Sequence, residues 1–211
     1  MLWKKSNNSH LLDQALKEAV TMLEKAQQLF GIAWETLTEG TDSAQMSQLD
    51  QDINAGERLV RRLVIEHLTM NPKQDLPTSL TLVSIVHDIE RLGDYAKSIA
   101  ELTGMSATRL SSDGLGQRCR EIQAEILPMF QLAIDGIRED DEGRAKDLMQ
   151  RHRETKARTD RVALDALNTE QTVPADLLAV LVSRYLRRIS AHLSNVVSSI
   201  VNPFDLIARN G

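Results

Sequence analysis

Residues 77–99 recur, 97 positions further on, as residues 174–196. Pro77 aligns with Pro174, Leu80 with Leu177, Ile85 with Val182 and Ile89 with Leu186. Arg91 aligns with Arg188, Leu92 with Ile189 and Ile99 with Val196. The apolar positions of each copy recur at threes and fours, the spacing of one face of an α-helix rather than the alternation of a strand. Helical periodicity alone gives some chance matches, but paired prolines and paired arginines on top of it do not arise that way. Such a chain folds as two related units.

Six long amphipathic segments surround this repeat. The first opens at Ser9 and ends near Gly40. The second follows an N-cap candidate at Asp42 and runs towards Asn71-Pro72. The third starts around Pro77 and ends at Gly104. The fourth spans about Leu115 to Ile137, the fifth Asp141 to Leu167, and the sixth Pro174 to Val201, where Asn202-Pro203 stops it. No segment alternates with period two, and no Asn-Gly or Asp-Gly lies between β-branched runs. Aromatic content is only 3%, against 42% hydrophobic and 26% charged residues, a composition suited to a helical bundle. Short connections between long helices make neighbours antiparallel. The expected fold is therefore all-α: two tandem, pseudo-repeated three-helix bundles of six long antiparallel helices. Residues 1–104 form the first unit and 117–211 the second. The Ser-, Thr- and Gly-rich stretch 105–116 reads as the linker.

Chemistry concentrates in the third segment, at His87 to Ala100. Glu90 and Asp94 are four apart, so their carboxylates project from one side of a helix, about one turn apart. Gly93 lies between them. Its cost of ~1 kcal/mol relative to alanine inside a helix implies a close neighbour. Two like charges at this spacing repel unless a cation lies between them. Asp50, Asn54 and Glu57 share one face of the second segment and can bring further oxygen donors. The alternative is that these acids form a solvated flank paired with Arg58, Arg91 or Lys97. In the second copy the scaffold persists but the acids do not: Glu90 aligns with Arg187, Asp94 with Ala191, Gly93 with Ser190 and His87 with Arg184. Up to Thr103 the chain holds 10 Lys and Arg against 15 Asp and Glu; the remainder holds 15 of each. Arg184, Arg187 and Arg188, joined by Arg151, Arg153 and Arg158, form a basic cluster able to receive an anion or an acidic partner.

Asp88-Ile89-Glu90-Arg91-Leu92-Gly93-Asp94, followed by Ala96 to Ala100, resembles the signature of the PhoU family of phosphate-signalling proteins. Asp50 with Ile53-Asn54 resembles that family's partner motif, and residues 68–80 resemble the loop into its third helix. The resemblance covers nearly the whole chain, although only the first motif is specific. It implies two tandem three-helix bundles and a surface site for iron, zinc or other divalent ions. Carried over residue by residue, the implied ligands are Asp50, Glu90 and Asp94, with Asn54, Glu57 and Asp88 as further candidates. Arg187-Arg188-Ile189-Ser190-Ala191-His192 departs from the family pattern where a second acidic motif belongs, and His152 falls roughly where a partner aspartate would be. One metal site is therefore expected, not two. Oxygen donors of this kind suit Mg, Mn or Fe, and the resemblance adds Zn. The implied role is noncatalytic regulation of phosphate transport or signalling, through contact with a phosphate transporter or a sensor kinase. A metal-free helical adaptor of another transporter is the alternative.

Other classes have less support. A di-metal oxidase bundle uses Glu-x-x-His pairs, and none of His10, His67, His87, His152 or His192 follows a glutamate by three. P-loop, nucleophile-elbow and His-Glu-x-x-His motifs are absent, which leaves a metal-dependent enzyme as the least supported reading. His87 and His192 read as polar helix-flank residues. The net charge of −5, without a basic tract interleaved with aromatics, argues against nucleic-acid binding. No apolar run approaches the ~20 residues that span a bilayer. Residues 1–9 do not read as a signal peptide, and Cys119 is the single cysteine. The expectation is a cytoplasmic protein, its cysteine a half-buried filler, its apolar flanks leaving room for a homodimer.

Overall fold

In the computed structural model, residues 10–41, 44–170 and 173–202 are described. They form six helices: α1 (His10–Glu39), α2 (Ala44–Met70), α3 (Leu76–Met105), α4 (Gly114–Glu139), α5 (Glu142–Leu167) and α6 (Pro174–Val201). Among the described residues there is no strand. The expected N-cap at Asp42, the opening at Ser9 and the stop at Pro203 lie outside the described residues.

The paired prolines have a shared cause. Pro77 and Pro174 occupy the first turn of α3 and α6, where the missing N–H would have no intrahelical partner anyway. Asp141 caps α5, its carboxylate accepting from the backbone N–H groups of Gly143 and Arg144 at 2.8 and 3.1 Å. Pro128 lies inside α4 without ending it.

Helices α1, α2 and α3 pack on one another, as do α4, α5 and α6, and the two triplets join through α3–α6 and α1–α4. The apolar stripes of all six helices form one continuous core, from Leu23 and Phe30 in the first triplet to Phe130 and Leu193 in the second. Phe30 and Phe130 stack across the junction with centroids 5.7 Å apart. Along α3 and α6 the contacts run antiparallel. Asp88 accepts from Asn195 (3.0 Å) and meets His192 Nδ1 at 2.7 Å, while Tyr95 packs against His192 and Tyr185. At the 97-residue spacing, position 88 corresponds to 185 and 95 to 192. The polar pair and the tyrosine pair are therefore the two halves of one pseudo-twofold contact.

The stretch read as the linker is tied down. Leu110 is buried, and Arg120 donates to the carbonyls of Leu110 and Ser111 at 3.1 and 3.3 Å. The helices also encroach on it, leaving only residues 106–113 irregular. Cys119, expected to be half-buried, is fully buried, its thiol donating to the Ala179 carbonyl at 3.3 Å.

Candidate metal centre

Helices α2 and α3 lie side by side with Ile53 of α2 against Gly93 of α3. A Cβ at position 93 would sit 3.2 Å from Ile53 Cδ1. The glycine that seemed costly on sequence grounds is thus where the helices approach closely, and that approach sets the distance between the acids flanking it.

The acids divide into two groups. On one side Glu57, His87 and Glu90 each offer a donor atom, and these atoms lie within 4.8 Å of one another. His87 Nδ1 stands 3.6 Å from Glu57 Oε1 and 3.8 Å from Glu90 Oε2. Glu90 Oε2 is buried without a hydrogen-bond partner; the His87 ring and the Arg91 guanidinium stand 3.8 and 3.7 Å away, beyond hydrogen-bond range. Burial first, and then the negative charge of Asp94, push the Glu90 carboxyl above the usual carboxylate range. Glu57 is better satisfied, pairing with Arg61 at 2.8 Å.

One turn along, Asp50 and Asp94 share Lys97, whose Nζ lies 3.0 Å from Asp50 and 3.9 Å from Asp94; Asp94 also accepts from Arg91 at 3.1 Å. Burial opposes the Lys97 charge, but the hydrogen bond and charge of Asp50 outweigh it and hold its pKa above the ordinary lysine value. For Asp50 and Asp94 the neutralising cation is Lys97, which shares α3 with Asp94 and reaches across to Asp50 on α2. Half-buried Asn54 stands on α2 between Asp50 and Glu57.

Asp88 belongs to neither group. Two residues before Glu90 on a helix means ~200° around the axis, and its carboxylate is turned into the α3–α6 junction, held by His192 and Asn195. His87, by contrast, expected to be a mere flank residue, brings a nitrogen donor to the acids. The signal was available: three residues before Glu90, it lies on the same face.

In the second triplet Arg184, Arg187 and Arg188 line a cavity of about 210 Å³ together with Lys156 and His192. Of the other basic candidates, Arg151 pairs with Asp147, and Arg158 pairs with Glu121 and Glu125.

A two-unit helical bundle with an acidic, histidine-bearing surface site is thus the class that fold and geometry define. Comparison with known proteins sharpens it. The sequence model described as PhoU domain matches twice, over residues 12–103 and 120–200. The chain belongs to the PhoU domain family. The fold resembles the crystal structure of PhoU from Pseudomonas aeruginosa (20% identity, TM-score 0.75, covering 90% of this chain and 95% of that one). It equally resembles the phosphate transport system regulatory protein PhoU from Streptococcus pneumoniae (15% identity, TM-score 0.75, covering 90% and 93%). No curated protein sequence matches the chain. Among the described residues, no helix is long and apolar enough to cross a membrane.

Proposed function

We propose that this chain is a noncatalytic regulator of phosphate transport or phosphate signalling, working in the cytoplasm by contact with a phosphate transporter or a sensor kinase. The double match to the PhoU domain carries the reading, and the regulatory role printed for the Streptococcus relative supports it. Contact surface is available. Leu164 and Leu167 close α5, and Val173, Leu177 and Leu181 open α6 at the same end of the second unit, all exposed. Such a patch suits a partner protein or a second copy in a homodimer.

A divalent ion at the first unit is part of this proposal. The residues fit one: Glu57, His87 and Glu90 offer two carboxylates and an imidazole, and a buried oxygen of Glu90 lacks a partner. One nitrogen and two oxygen donors suit Fe, Zn or Mn better than Mg. The ion's role would be electrostatic, neutralising Glu57 and Glu90 and fixing α2 against α3. Asp50 and Asp94 would join only if Lys97 released them. The metal-free adaptor reading has one observation in its favour, since Lys97 already satisfies those two acids.

Elemental analysis of the purified protein beside Glu57→Gln/Glu90→Gln and Asp50→Asn/Asp94→Asn variants tests the site. Near-stoichiometric metal, lost in the first variant and largely kept in the second, is the expected result. No retained metal and no binding on titration would leave the adaptor. The regulatory role is tested separately, by phosphate uptake in cells with and without the protein. Unchanged uptake and unchanged phosphate-responsive expression would overturn it.

A further inference from the structure

We propose that the second unit carries an anion site for a small phosphate-bearing molecule, built on the positions that hold the metal-type donors in the first. The correspondence is fixed by packing. Every buried residue of α5 falls 99 positions after a residue of α2 packed in or on the core: Ala145 after Met46, Leu148 after Leu49, His152 after Ile53, Thr155 after Gly56. Thr159, Val162 and Ala166 follow Val60, Leu63 and His67 in the same way. Helices α3 and α6 correspond at 97. At these spacings Glu57, His87 and Glu90 become Lys156, Arg184 and Arg187. The flanking acids Asp50 and Asp94 become Met149 and Ala191, so no carboxylate takes their place.

Geometry agrees with the alignment. Lys156, Arg184, Arg187 and Arg188 line one cavity of about 210 Å³, and none of its lining residues is acidic. His192 and Asn195 also line it, but both are engaged by the Asp88 carboxylate. Arg187 is paired outside it, with Asp160. Among the described residues Lys156, Arg184 and Arg188 have no ion pair. Three unneutralised cations around one concavity repel one another, whereas a tetrahedral oxyanion offers acceptors to all of them, and guanidinium groups bind such oxyanions in bidentate fashion. His152, which also lines the cavity, registers the field. Burial first, and then the charges of Lys156, Arg187 and Arg153, push its pKa down to about 4. The enclosure favours a small anion over a peptide segment, which would need an extended groove. Free orthophosphate and the terminal phosphate of a nucleotide share this chemistry.

The test is calorimetric titration of the full chain with orthophosphate, ATP and sulfate at fixed ionic strength, beside Arg184→Gln/Arg188→Gln and the control Arg151→Gln/Arg153→Gln, which leaves Arg184, Arg187, Arg188 and Lys156 untouched. Saturable binding of orthophosphate, weakened at least about tenfold in the first variant and not in the control, assigns free phosphate. The same pattern with ATP alone assigns a nucleotide phosphate. A ring-proton NMR titration of His152 should show its pKa rising when the anion is bound, because the positive field is neutralised. Equal, weak, salt-screened responses to all three anions would overturn the site. So would the absence of binding, including the case in which Arg184→Gln/Arg188→Gln instead abolishes self-association, which would make the cavity wall a contact for an acidic protein face.

Discussion

At the scale of single residues, two buried groups give stability or reactivity a pH signature. His152 is buried beside three cations, so its folded pKa of about 4 lies well below the unfolded value near 6.5. Between those values the unfolded chain binds a proton that the folded chain refuses, so stability falls as pH drops through this window and is flat above it. At ~1.4 kcal/mol per unit the effect is about 3 kcal/mol. The expected outcome is that His152→Gln, which keeps a polar partner for Ser190 (3.0 Å from the ring), removes this part of the acid slope. Denaturant melts of both proteins from pH 7 to pH 4 check it, and identical slopes would refute it. Cys119 behaves differently. Burial pushes its thiol up to about 12, and the thiolate is the reactive form. A thiol reagent at pH 8 should leave the native protein untouched and label it only on unfolding; rapid labelling of the native state would contradict the buried placement.

At the scale of elements, two glycines of similar appearance should respond oppositely to alanine. A Cβ at Gly31 in α1 meets nothing within 4 Å, so Gly31→Ala should stabilise by up to ~1 kcal/mol through helix propensity. A Cβ at Gly116 in α4 would press on the backbone of Ser111, with its nitrogen 2.8 Å away. Backbone cannot swing aside like the end of a side chain, so residues 106–113 must shift, loosening the Arg120 bonds and the buried Leu110. Overpacking of this kind costs roughly 1–3 kcal/mol, more than propensity returns. Thermal melts should move in opposite directions, by about 2–4 °C per kcal/mol; a rise for Gly116→Ala would refute the contact. These elements also show what a sequence can reveal. All six helices were legible because each carries a long 3.6-period stripe, and Gly93 announced a close approach by its misplacement in a helix. The anchoring of residues 106–113 was not legible. Ser, Thr and Gly mark irregular backbone, whereas Arg120 reaching back to two carbonyls is a tertiary fact. Spacing offered Arg91 and Lys97 as partners for the acids but not how the acids divide; only packing shows that Lys97 reaches Asp50 and Asp94 and leaves a Glu90 oxygen without a hydrogen-bond partner.

At the scale of the whole molecule, the repeat correctly foretold two units but not how they join. Periodicity reports that a face is apolar, never which other face it meets. In the structure, Phe30 stacks on Phe130 and the core runs without a break from one triplet to the other. Asp88, turned into the same junction, is held by His192 and Asn195. Two units sharing one core cannot part without exposing it, so the chain should unfold in one cooperative transition rather than two. Phe130→Ala removes a fully buried ring and should cost about 3–5 kcal/mol. That loss should lower the stability of both units together, although the residue belongs to the second. The check is hydrogen exchange, followed by mass spectrometry, on core amides of α1 and α5, which lie in different units. Equal loss of protection in both is the expected outcome. Loss confined to α5, with α1 unchanged, would show two independently stable bundles that merely touch at Phe130.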